Sequence, residues 1–133
     1  MDSLLPIRLG AVALDCQDMK MLSDFYIRML GWVKLDESED WIDIQSPDGA
    51  GIKIGFQLNP DYVPPVWPEE PDCQQQMAHL DFYVKDEKQM QLAVAHAVAC
   101  GAKVAQMQYS DRWTVLFDPA GHPFCFCNAG LNE

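Results

Sequence analysis

The sequence predicts an α+β domain built from two paired β-α-β-β-β modules, and three observations carry that prediction. Two helical stripes of apolar residues each begin at an aspartate and stop at a glycine, strand-like runs flank both, and a proline-rich stretch separates the two sets. The first module is expected over about residues 7–58, a linker over about 59–76 and the second module over about 77–129.

Leu9 to Cys16 reads as the opening strand, closed by Gln17-Asp18. Asp18 is suited to cap a helix, because a short carboxylate can accept the free N–H groups of the first turn. Met19, Leu22, Phe25, Tyr26, Met29 and Leu30 then recur at three- and four-residue steps and build one apolar stripe. Gly31 supplies the stop, and Trp32 to Leu35 restarts extended chain. Trp41 to Gln45 and Ile52 to Gln57 read as two further strands around the turn residues Ser46-Pro47-Asp48-Gly49.

Five of the nine prolines (Pro60, Pro64, Pro65, Pro68 and Pro71) fall between Asn59 and Asp72. Proline lacks the N–H that a helix interior or a central strand requires, so this segment is a connection. The pattern then restarts: a strand at Ala78 to Val84, Asp86 as cap, and a helix to about Ala99 with Met90, Ala93, Val94, Ala97 and Val98 in its stripe. Gly101 ends it. Lys103 to Gln106, Trp113 to Phe117 and Phe124 to Cys127 complete the strands, the last after the turn Asp118-Pro119-Ala120-Gly121.

Laid on one another, the halves match Ala11 with His79, Asp18 with Asp86 and Pro47 with Pro119. One helix leaves part of its module's sheet face bare, so two modules are expected to share one core, with any curvature opening a cleft between them. A length of 133 residues, 49% apolar and 22% charged, suits a single domain. The net charge of −11 argues against nucleic acid and against an anionic membrane surface, since both call for basic residues. Five cysteines at irregular spacing suit reduced thiols, and the first residues have no signal-peptide pattern, so a cytoplasmic protein is expected.

The stretch from Asp18 to Trp32, with Phe25-Tyr26 and Leu30-Gly31-Trp32, resembles the first half-motif of the vicinal oxygen chelate superfamily, which includes glyoxalase I, bleomycin-resistance proteins and extradiol dioxygenases. His79-Leu80-Asp81, Val84-Lys85-Asp86, Gly101-Ala102 and Asp118 to Cys125 resemble the second half of a glyoxalase-like subgroup. The resemblance implies a curved mixed sheet around a small-molecule cavity. In metal-dependent members it implies up to four ligands, commonly His or Gln on the first strand of each module and Glu on the last.

Set against that pattern, the second module offers His79, while the first has Ala11, whose methyl group binds no metal. The Glu position of the last strand falls on Cys125, a ligand for soft ions and a poor one for hard cations. The corresponding strand of the first module has no carboxylate, and which of Lys53, Gly55 or Gln57 faces inward is open at this stage. The metal candidates are therefore His79 and Cys125. The ligand-binding candidates are His79 and Asp81, which strand alternation puts on one face with Tyr83, and the aromatic walls Trp41, Trp67 and Trp113. Each has a plainer alternative: a hydrogen-bonded histidine or acid, a packed thiol, a core tryptophan. His122 is read as part of a turn and His96 as solvent-facing, so neither is counted as a site residue.

Two functions compete. One is a glyoxalase- or bleomycin-resistance-like protein that binds a small organic molecule between its modules without a complete metal site and without a resident cofactor. The other is a metal-dependent lyase or dioxygenase with a depleted ligand set, for which a divalent metal is the expected partner. A homodimer is expected from the family's habits and from Trp67, a large aromatic in the linker.

Overall fold

The computed structural model describes residues 5–129. Strand β1 (Ala11–Cys16) leads into helix α1 (Met19–Leu30), followed by β2 (Val33–Glu37), β3 (Trp41–Gln45) and β4 (Lys53–Leu58). After the linker the order repeats as β5 (Leu80–Val84), α2 (Glu87–Cys100), β6 (Lys103–Val104), β7 (Trp113–Phe117) and β8 (Pro123–Asn128). The chain thus has the expected two β-α-β-β-β modules. The strands lie in two four-stranded sheets, ordered β1-β4-β3-β2 and β5-β8-β7-β6, each mixed because its first and last strands run parallel.

Both helix starts follow from their caps. Asp18 accepts the Met21 N–H at 3.0 Å and Asp86 accepts the Gln89 N–H at 2.9 Å. At the far end of α1, Gly31 turns the chain at φ 69°, a left-handed conformation that disfavours any residue with a Cβ. The α1 stripe is buried as its spacing predicts, with Met19, Leu22, Phe25, Tyr26 and Met29 all inside. In α2 one member departs: Val98 is exposed, and Cys100 is buried at the opposite border of the stripe. At roughly 100° per residue, Val98 stands too far round from Ala97 to reach the sheet.

The second module's first strand starts at Leu80, two residues later than its sequence suggests. Leu80 pairs with Phe124, so His79 would fall opposite Pro123, which has no N–H to continue the ladder. His79 therefore leads into the strand from the linker side.

The core lies where the helices meet the sheets, and it belongs to both modules. Tyr26 of α1 is fully buried and packs against Phe56 of the first sheet at 5.7 Å between ring centroids. It also lies 6.4 Å from Phe82 and 6.2 Å from Phe124 of the second sheet. Its hydroxyl donates to Asp118 Oδ2 at 2.8 Å, tying α1 to the turn before β8. His96, although exposed, holds the two helices together from outside by donating from Nε2 to the Met29 carbonyl at 3.1 Å.

Removing the Tyr26 hydroxyl while keeping its ring should isolate the polar part of this link. Tyr26→Phe is expected to destabilise the fold by about 1–3 kcal/mol, since it takes one donor from a buried carboxylate. Urea denaturation should show a lower midpoint with an unchanged m-value; an unchanged midpoint would mean that the bond adds nothing net.

Candidate functional site

Strand alternation leaves one face of each sheet turned away from the helices. On the second sheet that face carries Asp81 and Tyr83 of β5 and Cys125 and Cys127 of β8. The register sets Asp81 against Cys125, and His79 reaches the same place from the end of the linker. Its Nε2 lies 3.1 Å from Asp81 Oδ1, so the ring donates to the carboxylate, which can only accept. His79, Asp81 and Cys125 each bring one ligand atom, all within 4.8 Å of one another.

The first sheet settles what faces inward there. Ala13 pairs with Gly55, so the positions equivalent to Asp81 and Cys125 are Ala13 and Gly55, and His79 corresponds to Ala11. None has a ligand atom. Trp41 lies across Gly55, where a Cβ would collide with its ring, and its indole N–H donates to Asp43 at 2.6 Å. Where the second sheet has a polar cluster, the first has a tryptophan plug.

Two cavities adjoin His79. The larger, about 500 Å³, lies between the modules: Val12 to Asp15 of β1 form one wall, linker residues including Asn59, Tyr62 and Gln76 another, and His79, Leu80 and His122 a third. The smaller, about 340 Å³, lies on the second sheet and is lined by Trp67, Trp113, His79, Asp81, Cys125 and Cys127, among others. Five of the six sequence candidates therefore meet in one hollow, and Trp41 lies on the first sheet outside it. Trp67 folds back from the linker onto Phe117, with ring centroids 6.4 Å apart, and covers Ala105, Val115 and Cys125.

His122, which the sequence places in a turn, stands in the wall of the larger cavity. Its Nδ1 lies 2.9 Å from Asp118 Oδ2, and Asp118 itself has a side chain with no exposure. The spacing of four residues across a Pro-Ala-Gly turn was the available signal, because such a turn folds residue 122 back over residue 118.

The thiols here are held in their neutral form. Burial first, and the Asp81 charge second, push Cys125 up from 9.0 to about 12. Burial and then the Asp118 charge raise Cys16 to about 11. A buried thiol beside carboxylates is neither a good nucleophile nor a ready metal ligand at neutral pH.

A glyoxalase-like domain model matches residues 11–127. The chain belongs to the glyoxalase-like domain family. This places it in the vicinal oxygen chelate superfamily, and solved structures agree in fold. A glyoxalase/bleomycin resistance protein/dioxygenase family enzyme from Burkholderia phytofirmans PsJN superposes with a TM-score of 0.71 at 19% identity, over 92% of this chain and 98% of its own. A glyoxalase family protein from Enterococcus faecalis gives 0.66 at 20% identity, over 91% and 97%. A lactoylglutathione lyase from Agrobacterium tumefaciens gives 0.63 at 14%, over 94% and 96%. At these identities the likeness is one of fold. No curated protein gives a significant match. Among the described residues, no helix is long and apolar enough to cross a membrane.

The raised thiol values have a consequence in alkali. The native state keeps the Cys16 and Cys125 protons beyond pH 9.0, where the unfolded chain releases them. Their contribution to stability is complete below about pH 9 and is lost as pH rises toward about 12. Iodoacetamide near neutral pH should label exposed Cys73 at least about tenfold faster than either buried thiol, read by peptide mass spectrometry. Equal labelling of Cys125 would contradict this picture of the site.

Proposed function

We propose that this glyoxalase-like protein holds a small organic molecule in the cavity between its modules, without a complete metal site. The observation that carries the reading is the cavity of about 500 Å³, to which both halves and the linker contribute walls. That volume falls within the range of small-molecule pockets, and its lining mixes apolar side chains with polar and acidic ones. The adjoining hollow with Trp67 and Trp113 adds flat apolar surface beside Asp81. Supporting the metal-free reading, the first module contributes Ala11 and Gly55 where the superfamily's metal enzymes would need ligands. A cytoplasmic location and a homodimeric assembly belong to the same proposal, the former resting on five free thiols.

One observation favours a second reading, a metal-dependent lyase or dioxygenase: the convergence of His79, Asp81 and Cys125 within 4.8 Å. A nitrogen, an oxygen and a sulfur suit a borderline-soft ion such as zinc and suit magnesium poorly. These three residues would hold it, and the ion would supply Lewis-acid polarisation of a bound oxygen. Cys125 would have to give up a proton that its surroundings hold to about pH 12, so uptake at neutral pH would release that proton and weaken as pH falls.

Thermal denaturation in chelator separates the two. A screen of small neutral and cationic organic molecules should yield ligands that raise Tm with no added metal, by about 2.7 kcal/mol of stability at a hundredfold excess over Kd. Stabilisation that appears only with a divalent cation, and disappears in His79→Ala, would transfer the assignment to the second reading.

A further inference from the structure

The buried carboxylate of Asp118 organises a second polar centre, facing the larger cavity and separate from the His79–Asp81–Cys125 cluster. Its Oδ1 accepts the backbone N–H groups of Ala120 at 2.9 Å and His122 at 3.0 Å, while Oδ2 accepts the Tyr26 hydroxyl at 2.8 Å. Both oxygens also lie within 3.1 Å of His122 Nδ1. A carboxylate so placed has only lone pairs to offer, so the neutral imidazole carries its hydrogen on Nδ1 and presents a lone pair at Nε2.

The imidazole is also held in place. It packs against the Tyr62 ring at 5.2 Å between centroids, and the Tyr62 hydroxyl is itself engaged, donating to the Ala120 carbonyl at 2.8 Å. His122 lines the larger cavity with a side chain that is 15% exposed. Among the described residues, no polar side-chain atom sealed from solvent lacks a partner. Among the described residues Nε2 has no hydrogen-bond partner, so it is not sealed from solvent, and the ring that carries it lines the larger cavity. While the ring is neutral it is a fixed acceptor, held by a fully buried acid, in the wall of the inter-module hollow.

The rest of that wall points to the same chemistry. Asp15 and Asp61 line it, Asp15 accepting from Asn59 at 3.0 Å, and no lysine or arginine lines it among the described residues. Gln74, Gln75 and Gln76 add amides that can donate or accept, but an anionic ligand would give up its hydration and meet carboxylates with no cation to balance them. A hydroxyl or ammonium group would meet acceptors.

We propose that His122, positioned by Asp118, is the residue that binds the donor group of the cavity's ligand, and that this ligand is a neutral hydroxyl compound or an organic ammonium ion, not an anion. The proposal rests on the reading that this cavity holds a small organic molecule, and it narrows that reading to a chemical class.

Three probes on one skeleton test it: 2-phenylethanol, 2-phenylethylammonium and 3-phenylpropionate, titrated into the full chain with imidazole 15N spectra recorded. The alcohol and the ammonium should bind at least roughly tenfold more tightly than the carboxylate, a gap of about 1.4 kcal/mol. The Nε2 resonance of His122 should move on adding the alcohol while Nδ1 stays protonated. His122→Phe should weaken alcohol binding by a similar factor, and Asp118→Asn should replace the single tautomer with a mixture. If either variant fails to fold, the spectra of the unmodified protein decide.

An Nε2 resonance that does not move while the alcohol binds overturns the assignment and leaves the cavity reading standing, as does a carboxylate bound as tightly as the alcohol. No binding by alcohol or ammonium also overturns it. A wider screen that then finds no cavity ligand of any charge removes the cavity reading as well.

Discussion

The bond from the Tyr26 hydroxyl to Asp118 is the constraint from which the rest of the molecule can be followed. Tyr26 belongs to the first module and Asp118 to the second, and neither is exposed enough to exchange its partner for water. Asp118 takes its other hydrogen bonds from Ala120 and His122 of its own turn, so the Tyr26 hydroxyl is the donor that crosses between the modules, and it can do so only where the two halves approach closely. Around this bond the rings of Phe25, Phe56, Phe82 and Phe124 close into one cluster. Each such pair adds about 0.5–1.5 kcal/mol beyond its buried area. The same Asp118 fixes the His122 ring, so the joint between modules and the wall of the cavity are parts of one hydrogen-bonded unit.

Duplication sets up a symmetric frame, and side-chain choice breaks the symmetry. In the first sheet, Ala11, Ala13 and Gly55 bring no ligand atoms, and the Trp41 ring lies over Gly55. In the second, His79, Asp81 and Cys125 occupy the matching positions, and Trp113 stands beside them partly exposed. A Cβ at position 55 and the present Trp41 ring cannot coexist, so the plug depends on that glycine. The cluster of possible metal ligands is thereby confined to the second half, while β1 of the first module supplies Val12, Ala13 and Leu14, with Asp15, to the larger cavity.

How much of this the sequence disclosed varied with the physics of each element. Helix α1 was legible almost to the residue, because a capping aspartate, a strict stripe and a terminal glycine agree. Helix α2 was less so: with alanines on several faces its stripe has soft borders, and Val98 fell outside while Cys100 fell inside. The start of β5 was misjudged because the limit is set by Pro123, a residue more than forty positions away that no local pattern includes. Alternation puts Asp81 on the face that His79 reaches, and the linker tryptophan lies in the same hollow. His122 was missed because a turn motif was taken to account for all its members, and only the fold brings β1 and Tyr62 to the far side of its ring.

The acidic balance of the chain takes on a local meaning at the cavities. A net charge of −11 spread over a surface is screened within about 8 Å at physiological salt and decides little by itself. Inside a hollow the screening is weaker, and here the carboxylates are Asp15, Asp61 and Asp81, with histidines but no lysine or arginine among the described lining residues. Burial first, and then the Asp81 charge that would draw a cation in, keep the Cys125 thiol protonated. A bound metal ion and an organic cation would thus compete for one field. The metal must also displace a thiol proton to reach its full ligand set, whereas the organic cation need only shed water, and that difference favours the organic ligand at neutral pH.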